Sequence, residues 1–134
     1  MDALRTTAAR LYAALAARDV EALIALLDPA FTARVSEGMP LGVGGRIGDP
    51  RAMVLGVWGT IAGHFDVAPQ PDEYLEVAAD RVLVVGWYRG SSRATGRTFE
   101  AAFAHDLVIR GDRLVSLVQV TDTVPWHDAA APRA

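Results

Sequence analysis

One imidazole, one phenol and one carboxamide carry the candidate chemistry of this chain. His105 falls in the stretch Thr95 to Thr123, TGRTFEAAFAHDLVIRGDRLVSLVQVTDT. This stretch reads as two long antiparallel strands joined by a tight turn at Arg110-Gly111-Asp112-Arg113. Strand alternation puts Phe99, Ala101, Phe103, His105, Leu107 and Ile109 on one face, so His105 is the one ionisable group on an apolar surface. A polar group in such a place must find a partner or a ligand. The hairpin spacing sets Gln119 opposite or near His105 on the same face, and Tyr88 on the neighbouring strand points the same way. A Tyr–His–Gln trio can hold a polar ligand atom. It can also pass a proton through an imidazole whose ordinary pKa lies near neutrality. The competing reading is a buried histidine that bonds Gln119 only to satisfy itself.

Asp122 is the rival acid. Alternation places it on the face opposite Gln119, and a bulge near the strand end would turn it inward; its structural alternative is an anchor where the chain leaves the sheet. Trp58 and Phe65, with Phe31, Phe99, Phe103 and Tyr12, are candidates to line a mostly aromatic pocket with a few polar groups, which suits a hydrophobic ring-bearing molecule. Arg34 and Glu37 border a glycine-rich loop and can reach a pocket mouth, or serve as surface charge. The chain has no Cys, which excludes disulfides, thiolate metal sites and cysteine nucleophiles. Its 13 basic residues are all Arg, which excludes a Schiff-base lysine. His64, Asp66 and the remaining histidines are too scattered for a metal site. Arg110-Gly111-Asp112 is a turn, not an adhesion signal.

The elements that must position these groups follow from the patterning. The length of 134 residues suits one domain, expected over 1–126, with 127–134 as a frayed tail. Leu4, Ala8, Leu11 and Leu15 mark a helix over 3–17. Asp19 is a candidate N-cap for a second helix that runs to about Leu27, where Asp28-Pro29 stops it. Phe31 to Val35 is a short strand. The loop from Ser36 to Gly48 lacks the Gly-Lys-Ser/Thr ending of a phosphate loop and reads as a flap. Asp49-Pro50 opens a third helix with Met53, Val54, Val57, Trp58, Ile61 and Phe65 on its buried stripe. Asp66 to Gln70 leaves that helix, and strands follow over 73–79, 81–90, 97–110 and 113–123. Three helices, one early strand and a meander of long strands make an α+β layout. The second sheet face, with Leu83, Val85, Trp87, Ala102 and Ala104, also wants cover, which predicts a homodimer packed sheet against sheet.

Composition excludes other classes. At 51% hydrophobic and 22% charged the chain is globular, not disordered. No run of about 18 apolar residues predicts a membrane span. An early acid and helical spacing at the N-terminus argue against a secretory signal, so the expected location is cytoplasmic. A net charge of −3 offers no footprint for nucleic acid.

Two stretches resemble the SnoaL-like branch of the nuclear transport factor 2-like, ketosteroid isomerase-like superfamily. Residues 13–35, AALAARDVEALIALLDPAFTARV, are similar to its helix–Asp–helix opening. Residues 82–123 are similar to its strand block: Tyr-x-Gly, Thr-Gly-Arg-x-Phe, Phe-x-His, a Gly-containing hairpin, then Gln-x-Thr-Asp-Thr. The resemblance implies a cone-shaped curved antiparallel sheet wrapped around three N-terminal helices, and a pocket used by isomerases, cyclases, epoxide hydrolases, dehydratases and plain binding domains. The positions matching a steroid isomerase's acid–base set hold Leu11, Val35 and His105, with Tyr12 one residue out of phase. Those matching an epoxide hydrolase's Arg, Asp and second Asp hold Gly86, Tyr88 and Gln119. Against a polyketide cyclase's His and Asp, His105 matches and Gln119 replaces the acid. The resemblance therefore implies cofactor-free proton-transfer chemistry, of isomerisation, cyclisation or dehydration type, on a hydrophobic polyketide- or terpenoid-like molecule. His105 would be the acid/base, with Tyr88 and Gln119 as oxyanion donors. The alternative is a non-catalytic ligand-binding or dimerisation module of the same fold.

Overall fold

The structure, a computed structural model, describes residues 3–132. Helix α1 spans Ala3–Ala17 and buries Ala8, Leu11 and Tyr12. Helix α2, Val20–Leu26, is capped by Asp19, whose carboxylate accepts from the Ala22 amide at 3.1 Å. A third helical stretch begins after Asp49, which accepts from the Ala52 amide at 2.8 Å. It opens with a π-helical segment, Ala52–Trp58, and continues as α3, Gly59–His64. Helix α4 spans Val124–Ala130.

Six strands form one sheet: β1, Leu27–Val35; β2, Gly45–Ile47; β3, Phe65–Ala78; β4, Arg81–Ser92; β5, Thr98–Arg110; and β6, Arg113–Thr121. Their order is β2-β1-β6-β5-β4-β3. Strands β3 to β6 form the expected meander, and the sheet curves without closing. The inner faces of β4 and β5 pack on α1 and α4, and β6 packs on α2, around Phe103, Leu107 and Leu117. Among the described residues no helix is long and apolar enough to cross a membrane.

Four features depart from expectation. The sheet is mixed, because β1 pairs parallel with β6, where an all-antiparallel sheet was expected. The glycine loop contributes strand β2, which pairs antiparallel with β1. Strand β3 starts at Phe65 rather than Glu73 and carries Pro69 and Pro71. Proline removes a ladder donor, so it reads as a loop signal, yet an edge strand tolerates it, and β3 is an edge. Gly86, opposite Pro71, and Gly90, opposite Val67, let the two backbones approach. A Cβ at Gly86 would press into the Gln70 carbonyl, and one at Gly90 into the Asp66 carbonyl. Finally, the segment expected to fray is helical through Ala130, with Trp126 and Ala129 buried. Pro125 lies in its first turn, where the missing N–H has no partner to lose. Residues 1–2 of the expected domain and 133–134 of the tail lie outside the described residues.

Candidate functional site

Strand register brings the site together. β5 and β6 pair His105 directly with Gln119. Both point inward, as does Tyr88 on β4, and all three are buried. His105 Nδ1 lies 2.8 Å from the Tyr12 hydroxyl and Nε2 lies 2.8 Å from the Tyr88 hydroxyl. The Tyr12 ring stacks on the imidazole at 5.8 Å between centroids with an interplanar angle of 1°, and the Phe103 ring covers it at 4.2 Å. Gln119 Nε2 donates to the Tyr88 oxygen at 3.0 Å. Its Oε1 accepts from the Ser36 amide at 3.3 Å. Ser36 also bridges β6, donating to the Gln119 carbonyl and accepting from the Thr121 amide. The first residue of the glycine loop thus fixes the carboxamide.

Burial governs the electrostatics. Desolvation pushes the His105 pKa down to about 3, because a charged imidazole without a counter-ion is penalised in an apolar setting. His105 is neutral at physiological pH. Burial raises the Tyr88 phenol, while the hydrogen bond from Gln119 works in the opposite sense. Burial also raises Tyr12, with Tyr88 and Tyr74 adding to the effect. Both phenols keep their protons.

Those protons have a direction. A neutral imidazole has one donor nitrogen and one acceptor. If Tyr12 donates to Nδ1, then Nε2–H donates to the Tyr88 oxygen, which also accepts from Gln119. The proton left without a protein acceptor is then that of Tyr88, which borders a cavity. In the other tautomer the leftover proton belongs to Tyr12, which is buried and does not border the cavity. An unmatched donor in a dry core costs about 1–3 kcal/mol, so the first arrangement is favoured. The proton free of a protein acceptor then belongs to Tyr88, a residue that lines the cavity.

The cavity has a volume of about 100 Å³. Val54, Val57 and Trp58 of the π-helical segment, Ile61 of α3, Leu23 of α2 and Val67 of β3 form its apolar wall. Met39 of the glycine loop and Trp126 of α4 close one side, and Tyr88 and Gln119 supply polar atoms. Of the residues expected to contact a ligand, Trp58 borders the cavity. Tyr12 instead bonds His105, while Phe31, Phe65, Phe99 and Phe103 lie in the packed layer behind the wall. His105 itself does not border the cavity and reaches it only through Tyr88. Asp122 is exposed, and its carboxylate accepts from the Val124 amide at 3.2 Å at the start of α4; no bulge turns it inward, which corrects its candidacy as an acid. Arg34 and Glu37 are exposed and do not border the cavity. Sequence reasoning missed Ser36, Met39, Arg18 and the cavity side of Trp126. Trp126 is expected from sequence to pack back onto the end of the fold, and it is buried there; only its cavity side left no signal.

No protein-family model and no curated protein matches the sequence. Solved structures do. An NTF2-like protein from Burkholderia thailandensis is 28% identical, with a TM-score of 0.86, over 98% of this chain and 100% of that one. IdmH from Streptomyces antibioticus, a candidate polyketide cyclase, is 25% identical with a TM-score of 0.78, over 90% and 93%. TerC, co-crystallised with polyporic acid, is 23% identical with a TM-score of 0.84, over 96% and 98%.

Proposed function

Starting from a chain of the nuclear transport factor 2-like superfamily with a SnoaL-like strand block, we propose a small-molecule pocket protein in which Tyr88 donates a hydrogen bond to an oxygen of a hydrophobic, ring-bearing ligand of polyketide or terpenoid type. The observation that carries this is the position of Tyr88: the residue borders the cavity while its hydroxyl oxygen accepts from Gln119 and contacts His105 Nε2. Two donors on a phenol oxygen strengthen the phenol as an acid towards a third partner. The chemistry this supports is cofactor-free proton transfer of isomerase, cyclase or dehydratase type. Tyr88 and Gln119 stabilise a developing oxyanion, and neutral His105 orients them. A second reading, a non-catalytic binding module, has its own support: among the described residues no carboxylate or imidazole borders the cavity to act as base.

An aromatic ketone separates these readings. Wild-type protein is expected to bind 2-acetylnaphthalene, to move its carbonyl stretch to lower wavenumber, and to bind it more tightly than 2-isopropylnaphthalene, which lacks the oxygen. Equal affinities, or an unmoved carbonyl band, would remove Tyr88 as a donor. In deuterated water, accelerated exchange of the ketone's methyl protons, followed by NMR, identifies proton-transfer catalysis. Binding without exchange identifies the binder.

The outer sheet face supports a homodimer. Leu75, Val77, Trp87, Val118 and Val120 are exposed, and the cross-strand pairs Leu75–Leu83, Val85–Ala104 and Ala104–Val120 place apolar side chains next to one another on that face. Surfaces of this kind mark association sites. Native mass spectrometry is expected to show twice the 14.3 kDa chain mass, and Val120→Arg to return it to the single chain. A wild-type monomer would sink the sheet-to-sheet pairing.

A further inference from the structure

Arg18 stands where glycine is the ordinary choice. It directly follows α1 with a φ of 53°, in the left-handed region. Its amide bonds the Leu15 carbonyl at 3.2 Å, and the Asp19 amide bonds the Ala14 carbonyl at 3.0 Å, which closes the helix end. A residue with a Cβ is strained in that conformation. The arginine side chain borders the cavity, and its Nη2 donates to Asp66 at 2.7 Å.

Exposure orients the cavity. The Arg18 side chain is 45% exposed, and neighbouring Val20 also 45%. Tyr88 is 8% exposed and Gln119 is 9%. Arg18 is therefore at the mouth and Tyr88 at the floor, with apolar Val54, Val57 and Trp58 along the walls between them. Arg18 is the one charged side chain bordering the cavity among the described residues. Asp66 occupies one nitrogen of a guanidinium that has five N–H donors in a planar fork suited to carboxylates.

We propose that Arg18 sets the ligand class: an elongated apolar molecule with a neutral oxygen at the Tyr88 end and a carboxylate or equivalent anionic oxygen at the mouth. This rests on the reading of the cavity as a ligand site and adds the second polar end. The Asp66 pairing holds the guanidinium at the rim and neutralises it while the cavity is empty. An incoming carboxylate shares or takes over the fork.

The test uses a matched pair, 2-acetylnaphthalene and 6-acetyl-2-naphthoate, titrated calorimetrically into the intact protein. Wild type is expected to bind the carboxylate about tenfold more tightly, the size of one charge-assisted hydrogen bond, with the advantage shrinking at high salt. Arg18→Gln is expected to bind both equally, the ratio of the two affinities being the readout. Asp66→Asn removes the competing carboxylate and is expected to widen the preference. It leaves Arg18 in place, so it keeps the test valid if Arg18→Gln folds poorly. Equal wild-type affinities for the two probes overturn this inference and leave the pocket standing. Failure of both probes to bind overturns both. An Asp66→Asn protein that is destabilised but no more selective assigns Arg18 to the ion pair alone and overturns the inference.

Discussion

Between pH 6.5 and about 3 the chain is expected to lose stability at about 1.4 kcal/mol per pH unit because of His105. Above pH 6.5 the imidazole is neutral in both the folded and the unfolded chain, and its contribution is fully present. Below 6.5 the unfolded chain takes up a proton that the folded chain refuses, because burial has lowered the folded pKa. Stability therefore falls with pH until the folded pKa is reached, and then levels off. The ion pairs Arg18–Asp66, Arg81–Asp106 and Arg89–Glu100 each involve a substantially exposed group, and exposed pairs add little to such a slope. Urea unfolding at a series of pH values measures it. His105→Gln can still offer one acceptor and one donor to the flanking tyrosines but cannot titrate, so its stability is expected to be nearly flat over the same window. Parallel slopes for the two proteins would show that His105 is not the acid-labile group.

That outcome would also define the chemical role of His105. A side chain that stays neutral down to about pH 3 is a poor proton carrier at neutral pH, where a useful base titrates near the working pH. What it does well is connect. Held between Tyr12 and Tyr88 at 2.8 Å on each side, it fixes which phenol proton is free. The sequence suggested an acid/base because isolated histidine titrates near neutrality. Burial and its two tyrosine partners suit it to a positioning role under the proposed function, through a desolvation that the residue type alone does not disclose.

The legible parts of the site were those that strand alternation controls. Period-two patterning on β5 placed His105 inward, and the length of the hairpin set it against Gln119. The same patterning put Trp87 outward and Tyr88 inward. Parallel pairing of β1 with β6 left no local trace, since it joins segments about eighty residues apart and its strand is read from its own few residues. The cavity was illegible for a related reason. A buried face looks the same in sequence whether it packs or borders a void, so Phe31 and Phe103 were indistinguishable from Trp58, and only the last borders the cavity. Arg18 reads as a surface charge because nothing in its neighbours reveals a left-handed backbone.

Tyr88→Phe and Tyr12→Phe should part company, although each tyrosine lies 2.8 Å from one nitrogen of the same imidazole. Removing the Tyr88 hydroxyl strips the acceptor from both His105 Nε2–H and Gln119 Nε2. Stability should fall by about 1–3 kcal/mol for each donor left unmatched. It also strips the cavity of its O–H. The carbonyl band of bound 2-acetylnaphthalene should return to its unperturbed position, and any catalysed exchange of the methyl protons should drop by about 10²–10³, as when an oxyanion donor is lost. Removing the Tyr12 hydroxyl leaves Nδ1 without a donor, a loss of about 1–3 kcal/mol in stability. An empty acceptor is easier to bury than an empty donor, since a donor on Nδ1 would have nothing to meet, so the proton stays on Nε2 and Tyr88 still points into the cavity. Ketone affinity and carbonyl shift should therefore survive in Tyr12→Phe. Denaturant titration and infrared spectroscopy on the two variants give the answer together. If Tyr12→Phe also erases the carbonyl shift, the imidazole proton sits on Nδ1 in that variant and Tyr88 donates to His105 rather than to the ligand. If neither variant changes the shift, the oxygen of the ligand is held elsewhere on the cavity wall, where Gln119, Trp58 and Arg18 carry the remaining donors.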